Sequence, residues 1–122
     1  MIVQWVAFGF FFLAALIHVG FFIYEWFYLK ADPAVKVWAK NQAVYNLCYA
    51  IGTFVGLYYV LKLEVKTAGV VISLFGFSMI VAGATLWFTV PRLRKAALVQ
   101  AVPPILGFVF LAFHVLHRMG KL

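Results

Sequence analysis

His18 and Glu25 lie seven residues apart in the first apolar stretch of the chain, and Glu25 is the one acidic residue inside any such stretch. The other two carboxylates, Asp32 and Glu64, fall in short polar connections. A carboxylate in hydrocarbon is costly unless it is paired, neutralised or turned towards water, which makes an intramembrane Glu a functional-site hypothesis in its own right. Seven residues are two helical turns, so both side chains share a face at a separation of about 10 Å. Imidazole titrates near neutral pH, and with water or substrate between them the two groups are equipped to pass a proton or act as a general acid–base pair. The plainer expectation has Glu25 paired with Lys30 or Lys40 and His18 serving as a helix-packing group.

Further hydrogen-bonding residues fall at the same end of the apolar stretches. Asn41, Gln42, Tyr45 and Asn46 open the second, Thr85 and Thr89 close the third, and Gln100 precedes Pro103-Pro104 in the fourth. The i, i+4 pairs Asn41/Tyr45 and Gln42/Asn46 each stack on one helix face. The opposite half offers little beyond Gln4, Thr53, Ser73 and His114. Polar groups in lipid need internal partners, so this asymmetry predicts one ligand-binding pocket built from His18, Glu25, Asn41, Gln42, Tyr45, Asn46 and Gln100. Trp26 is expected to line it beside Tyr45. The alternative is helix glue, with interhelical hydrogen bonds worth about 0.6 kcal/mol each. His114 and His117 have metal-ligand spacing but no third ligand. Cys48 is the lone cysteine, and neither a metal nor a cofactor is called for.

The elements that must carry these residues are set by composition. The chain has 122 residues, 67% of them hydrophobic and 11% charged, against about 25% charged in soluble domains. Four stretches reach the roughly 20 residues needed to cross a bilayer: Ile2–Tyr28, Gln42–Leu61, Thr67–Val90 and Leu98–Leu116. Their short links force antiparallel neighbours, so the expected fold is all-α, an integral membrane four-helix up-down-up-down bundle forming one transmembrane domain over 1–122. Continuous apolar runs exclude a β-barrel, whose strands alternate. The first stretch lacks a positive n-region and is too long for a signal peptide, so it is read as a retained span. Asp32-Pro33 suits a turn or an interfacial helix start, and Pro103-Pro104 a kink in the fourth span.

The net charge of +7 comes from basic residues scattered through the links, with no basic run. That pattern fits membrane lipids as partners and not nucleic acid. Lys30, Lys36, Lys40, Arg92, Arg94 and Lys95 share one side, and Lys62, Lys66, Arg118 and Lys121 the other. The bias favours both termini outside the cytoplasm, in a bacterial inner (plasma) membrane. Gly52-x-x-x-Gly56 and the seven-residue repeat Gly69, Gly76, Gly83 permit close helix approach, either within the chain or in a homodimer.

Taken together, His18 and Glu25, the run Asn41-Gln42-Ala43-Val44-Tyr45-Asn46, Arg92-Leu93-Arg94 and Gln100-Ala101-Val102-Pro103 resemble, in order, a family of small four-span membrane proteins known as domain of unknown function 1304. The resemblance implies four helices and no particular activity. Ala43 stands where glycine is common in that family, a small-for-small exchange. Architecture alone, without sequence likeness, is similar to small multidrug-resistance exporters, in which a first-helix Glu exchanges protons for hydrophobic cations. Three functions are therefore carried forward. The first is binding or transport of a small hydrophobic or cationic ligand. The others are an accessory membrane subunit, and an enzyme acting on a lipid-soluble substrate by acid–base chemistry.

Overall fold

The computed structural model describes residues 2–120. Four helices follow in chain order: α1 (Ile2–Ile23), α2 (Pro33–Leu61), α3 (Val65–Thr89) and α4 (Arg94–Arg118). A π-helical turn, Tyr24–Tyr28, extends α1, and a 3-10 turn, Pro91–Leu93, leads into α4. All four helical segments are long and apolar enough to cross a membrane, as expected of a multi-pass membrane protein. Each helix packs on its sequence neighbours and α1 closes against α4, so the bundle is a four-cornered ring with little contact across the diagonals.

The helices overrun the expected spans where polar residues continue the helix beyond the hydrocarbon. The clearest case is α2, which begins at Pro33 and not near Gln42. Proline at the first helical position loses only an N–H that would be free anyway, and the Lys36 N–H already bonds the Asp32 carbonyl at 2.9 Å. At 29 residues, α2 is about 43 Å long and exceeds a hydrocarbon core of about 30 Å. Its surplus length at the N-terminal end carries Lys36 and Lys40. Likewise α4 starts at Arg94, whose guanidinium stacks 5.1 Å from the centre of the Trp87 ring. Pro103 and Pro104 lie inside this helix, which continues through both. Lys121, counted in the charge bias, lies outside the described residues.

The α2–α3 link is only Lys62, Leu63 and Glu64. Leu63 adopts the left-handed conformation with φ 62°. Its N–H bonds the Val60 carbonyl at 3.1 Å and the Glu64 N–H bonds the Tyr59 carbonyl at 3.0 Å. These are the paired bonds of a Schellman cap, formed here without the usual glycine.

The interior is lined mainly by small side chains, with Ala7, Ala14, Ala15, Ala43, Ala50, Ala68 and Ala97 all buried. Small residues let helix backbones approach closely where lipid offers no hydrophobic drive for association. Phe11 is the large exception. Cβ atoms added at Gly76 and Gly107 would come within 2.9 Å and 2.8 Å of its ring, so the two glycines form the notch that holds it. Gly52 faces the Phe75 ring and Gly56 faces Ile72, so the G-x-x-x-G of α2 packs on α3 within the protomer. Gly83 sits against α4, where a Cβ would lie 2.8 Å from the Ala101 Cβ and 2.9 Å from the Ala97 carbonyl, whereas Gly69 meets open space.

This contrast within one glycine stripe gives a stability test. Gly83→Leu is expected to lower the thermal unfolding midpoint in detergent, with a cost of about 1–3 kcal/mol from overpacking. Gly69→Leu should leave the midpoint within error of the parent. Equal effects at the two positions would contradict the α3–α4 contact.

Candidate functional site

The inward face of α1 is the stripe Ala7, Phe11, Ala14, Ala15 and His18. Glu25 continues it two turns further on, inside the π turn, where the Leu29 N–H reaches five residues back to the Tyr24 carbonyl at 2.9 Å. Short π segments inside or at the ends of α-helices recur at functional sites. The π turn lies against α2, whose own inward stripe is Ala43, Asn46, Ala50, Gly52, Thr53 and Gly56. Where the two stripes meet, the Asn46 side-chain amide Nδ2 donates to Glu25 Oε2 at 2.8 Å. This is the one side chain–side chain hydrogen bond among the described residues, and it joins two helices. Glu25 is thus held by an amide. Lys40, one of the two cations (with Lys30) expected to pair with it, instead places its Nζ 5.2 Å from the centre of the Trp26 ring.

His18 is fully buried. Its Nδ1–H donates to the Ala14 carbonyl at 2.9 Å, which leaves Nε2 as an acceptor in the neutral ring. The ring packs edge-on against Tyr49 of α2, centroids 5.8 Å apart, which sets His18 at a level between Asn46 and Thr53. Three buried polar atoms in this region have no partner: His18 Nε2, Asn46 Oδ1 and Thr53 Oγ1. Thr53 is the buried hydroxyl among them, whereas Ser78, Thr85 and Thr89, none of them buried, bond back to carbonyls of their own helix, at 2.8, 2.9 and 2.7 Å. Buried polar atoms without partners are uncommon in folded proteins and call for an explanation.

The fourth helix adds acceptors of another kind. Gln100 is 6% exposed, and Pro103 and Pro104 are buried beside it on the inward face of α4. Neither proline carries an N–H, so the carbonyls of Val99 and Gln100 lose their i+4 donors. The inward face of α3, by contrast, is Ala68, Ile72, Gly76, Met79 and Gly83. The expectation that every helix adds polar groups to the site is corrected here. Thr85 and Thr89 are exposed and spend their hydroxyls on their own backbone.

The seven residues expected to form one pocket therefore divide. His18, Asn46 and Gln100 are buried and Glu25 is half-buried, whereas Asn41, Gln42 and Tyr45 are exposed on the outer side of α2. Each residue turns a helix by about 100°, so Gln42 and Tyr45 fall just off the stripe through Ala43 and Asn46. Two open grooves mark the surface. One, of about 480 Å³, is bounded by Ser73, Leu74, Phe77, Ser78 and Phe108, and the other, of about 420 Å³, by Trp26, Val37, Trp38, Lys40, Asn41 and Val44. Only Asn41 of the seven touches either. Thr53 is the residue that sequence placement assigned to the other half. Its signal was its position seven residues after Asn46, on the same face. No group of three or more metal-binding side chains occurs among the described residues.

The family described as Protein of unknown function (DUF1304) matches residues 12–112, a span that holds every residue of this constellation. The chain belongs to that family. No curated protein and no solved structure matches this DUF1304 chain. What its polar groups can do must therefore be read from their own chemistry. Those where α1 meets α2 are mostly acceptors: the Glu25 carboxylate, Asn46 Oδ1 and His18 Nε2. The Thr53 hydroxyl and the second N–H of the Asn46 amide are donors on the same face of α2.

A double-mutant cycle tests the central contact. Glu25→Ala and Asn46→Ala should each destabilise the protein, with a coupling energy of about 0.5–2 kcal/mol between them in unfolding measurements. Strict additivity would show that the hydrogen bond contributes nothing.

Proposed function

We propose that this membrane protein binds a small hydrophobic ligand bearing a protonated amine at the Glu25–Asn46 cluster. The observation that carries the reading is the state of Asn46. The residue is 3% exposed, and its amide donates to Glu25 while its buried Oδ1 has no donor. In its ionised form, Glu25 beside unfilled acceptors calls for a partner that supplies positive charge and N–H groups together. An ammonium group does both, and its hydrocarbon body suits a route through the apolar bundle. His18, one level deeper, extends the acceptor path inwards. Transport is the fuller form of the same reading, with Glu25 exchanging a proton for the charge of the ligand. The Lys-rich end then faces the cytoplasm, with both termini outside.

Binding to protein in nanodiscs tests this with lipophilic amines, each paired with its quaternary analogue. The quaternary compounds keep the charge but lose the N–H donors. Hydrogen bonds to charged groups are worth about 1.5–3 kcal/mol, so the amines should bind at least about tenfold more tightly. Glu25→Gln should abolish the difference, and His117→Ala should leave it intact. Equal affinity for both members of each pair, or undiminished amine binding by Glu25→Gln, would overturn the reading. Orientation has its own check: reporter fusions at the C-terminus are expected to be active outside the cytoplasm and silent within it.

A further inference from the structure

The groove of about 420 Å³ between the π turn and the start of α2 is separate from the buried cluster, and its walls have a different chemistry. Trp26 comes from the π turn, and Val37, Trp38, Lys40, Asn41 and Val44 from α2. We propose that this groove binds the phosphate of an anionic phospholipid headgroup, with Lys40 and Asn41 as the phosphate ligands and the two tryptophans as its interfacial walls.

Charge decides the sign of the occupant. Two tryptophans would suit a cation, but the Lys40 ammonium already lies over the Trp26 ring, 5.2 Å from its centre. A second cation would meet that ammonium, whereas an anion would be drawn to it. The surroundings point the same way. The α1–α2 and α3–α4 links share one end of the bundle, with Lys30, Lys36, Lys40, Arg92, Arg94 and Lys95 set against Glu25 and Asp32. Of those two acids, Glu25 is bonded to Asn46.

Position decides the class of anion. The groove lies on the part of α2 that outruns the hydrocarbon, at the level where Trp side chains concentrate. Trp38 is 77% exposed and Val37 71%, so the wall opens sideways towards lipid. Val44, one turn below Lys40, continues the groove in the direction an acyl chain would take. A phosphate tethered to two acyl chains matches this layout, because its charge meets Lys40 while its chains remain in the bilayer. The Asn41 amide N–H adds a directional bond to a phosphate oxygen. A free phosphate would use the same polar ligands but gain nothing from the apolar walls.

Native mass spectrometry of the full chain, released from mixed micelles of phosphatidylglycerol and phosphatidylcholine, tests the proposal. The wild type should retain phosphatidylglycerol preferentially. Lys40→Gln should reduce that preference about fivefold, the equivalent of about 1 kcal/mol per basic side chain at an anionic surface. Lys40→Arg should preserve most of it, which separates loss of charge from loss of fold, and Lys66→Gln at the other end should preserve all of it. Excess inorganic phosphate should not displace the lipid. The proposal is overturned if Lys40→Gln retains phosphatidylglycerol as the wild type does. It is equally overturned if Lys66→Gln loses it to the same extent, or if inorganic phosphate competes it away.

Discussion

A carboxylate inside an apolar bundle must find a hydrogen-bond donor, and here Asn46 supplies it. Much of the arrangement at the Lys-rich end follows from that bond. It ties the π turn to the inward stripe of α2, while Lys40 rests on the Trp26 ring. The amide donates without bringing charge, so it orients the carboxyl group and supplies no counter-charge. Its oxygen partner on the same side chain is left facing the interior with nothing to accept from. The pair is thus a fastening and an incomplete site at once.

The close approach of the helices depends on residues with little or no side chain. Alanines line the faces where the helices meet, and Gly76 and Gly107 open the notch into which Phe11 fits, its ring edge-on to Phe108 with centroids 5.0 Å apart. With so little side-chain volume between backbones, each large or polar residue on an inward face occupies a defined place. His18 is such a residue, boxed by Phe21 and Tyr49 and tied to its own helix at Ala14. The outward faces carry the bulk instead, with Phe12, Leu74, Phe77 and Phe113 all exposed to what would be lipid.

The four helices were legible in the sequence because continuous apolar runs leave no other structure for a bilayer to accept. Glu25 and His18 stood out for the same reason, as polar side chains with nowhere inexpensive to go. What could not be read was rotation. Asn41, Gln42, Tyr45 and Asn46 look equivalent in a list, yet only Asn46 lies on the stripe with Ala43 and Ala50, and a helix with polar residues on several sides gives no preferred face. Asp32-Pro33 was legible as an interfacial helix start, but the charges of Lys36 and Lys40 gave no sign that this helix runs unbroken into the span, although nothing in them prevents a helix. Thr53 lies towards the other end of α2, and only its two-turn spacing to Asn46 marks it as sharing that inward face.

The turn at Leu63 bears on how such a chain enters a membrane at all. The Lys62, Leu63 and Glu64 N–H groups are bonded to Tyr58, Val60 and Tyr59 within the hairpin itself, so the donors at the tip do not require water to complete them. A pair of helices joined in that way is a self-contained cargo for insertion. The polar groups that such a tip still presents for solvation are the carbonyls of Lys62 and Leu63 and the side chains of Lys62, Glu64 and Lys66.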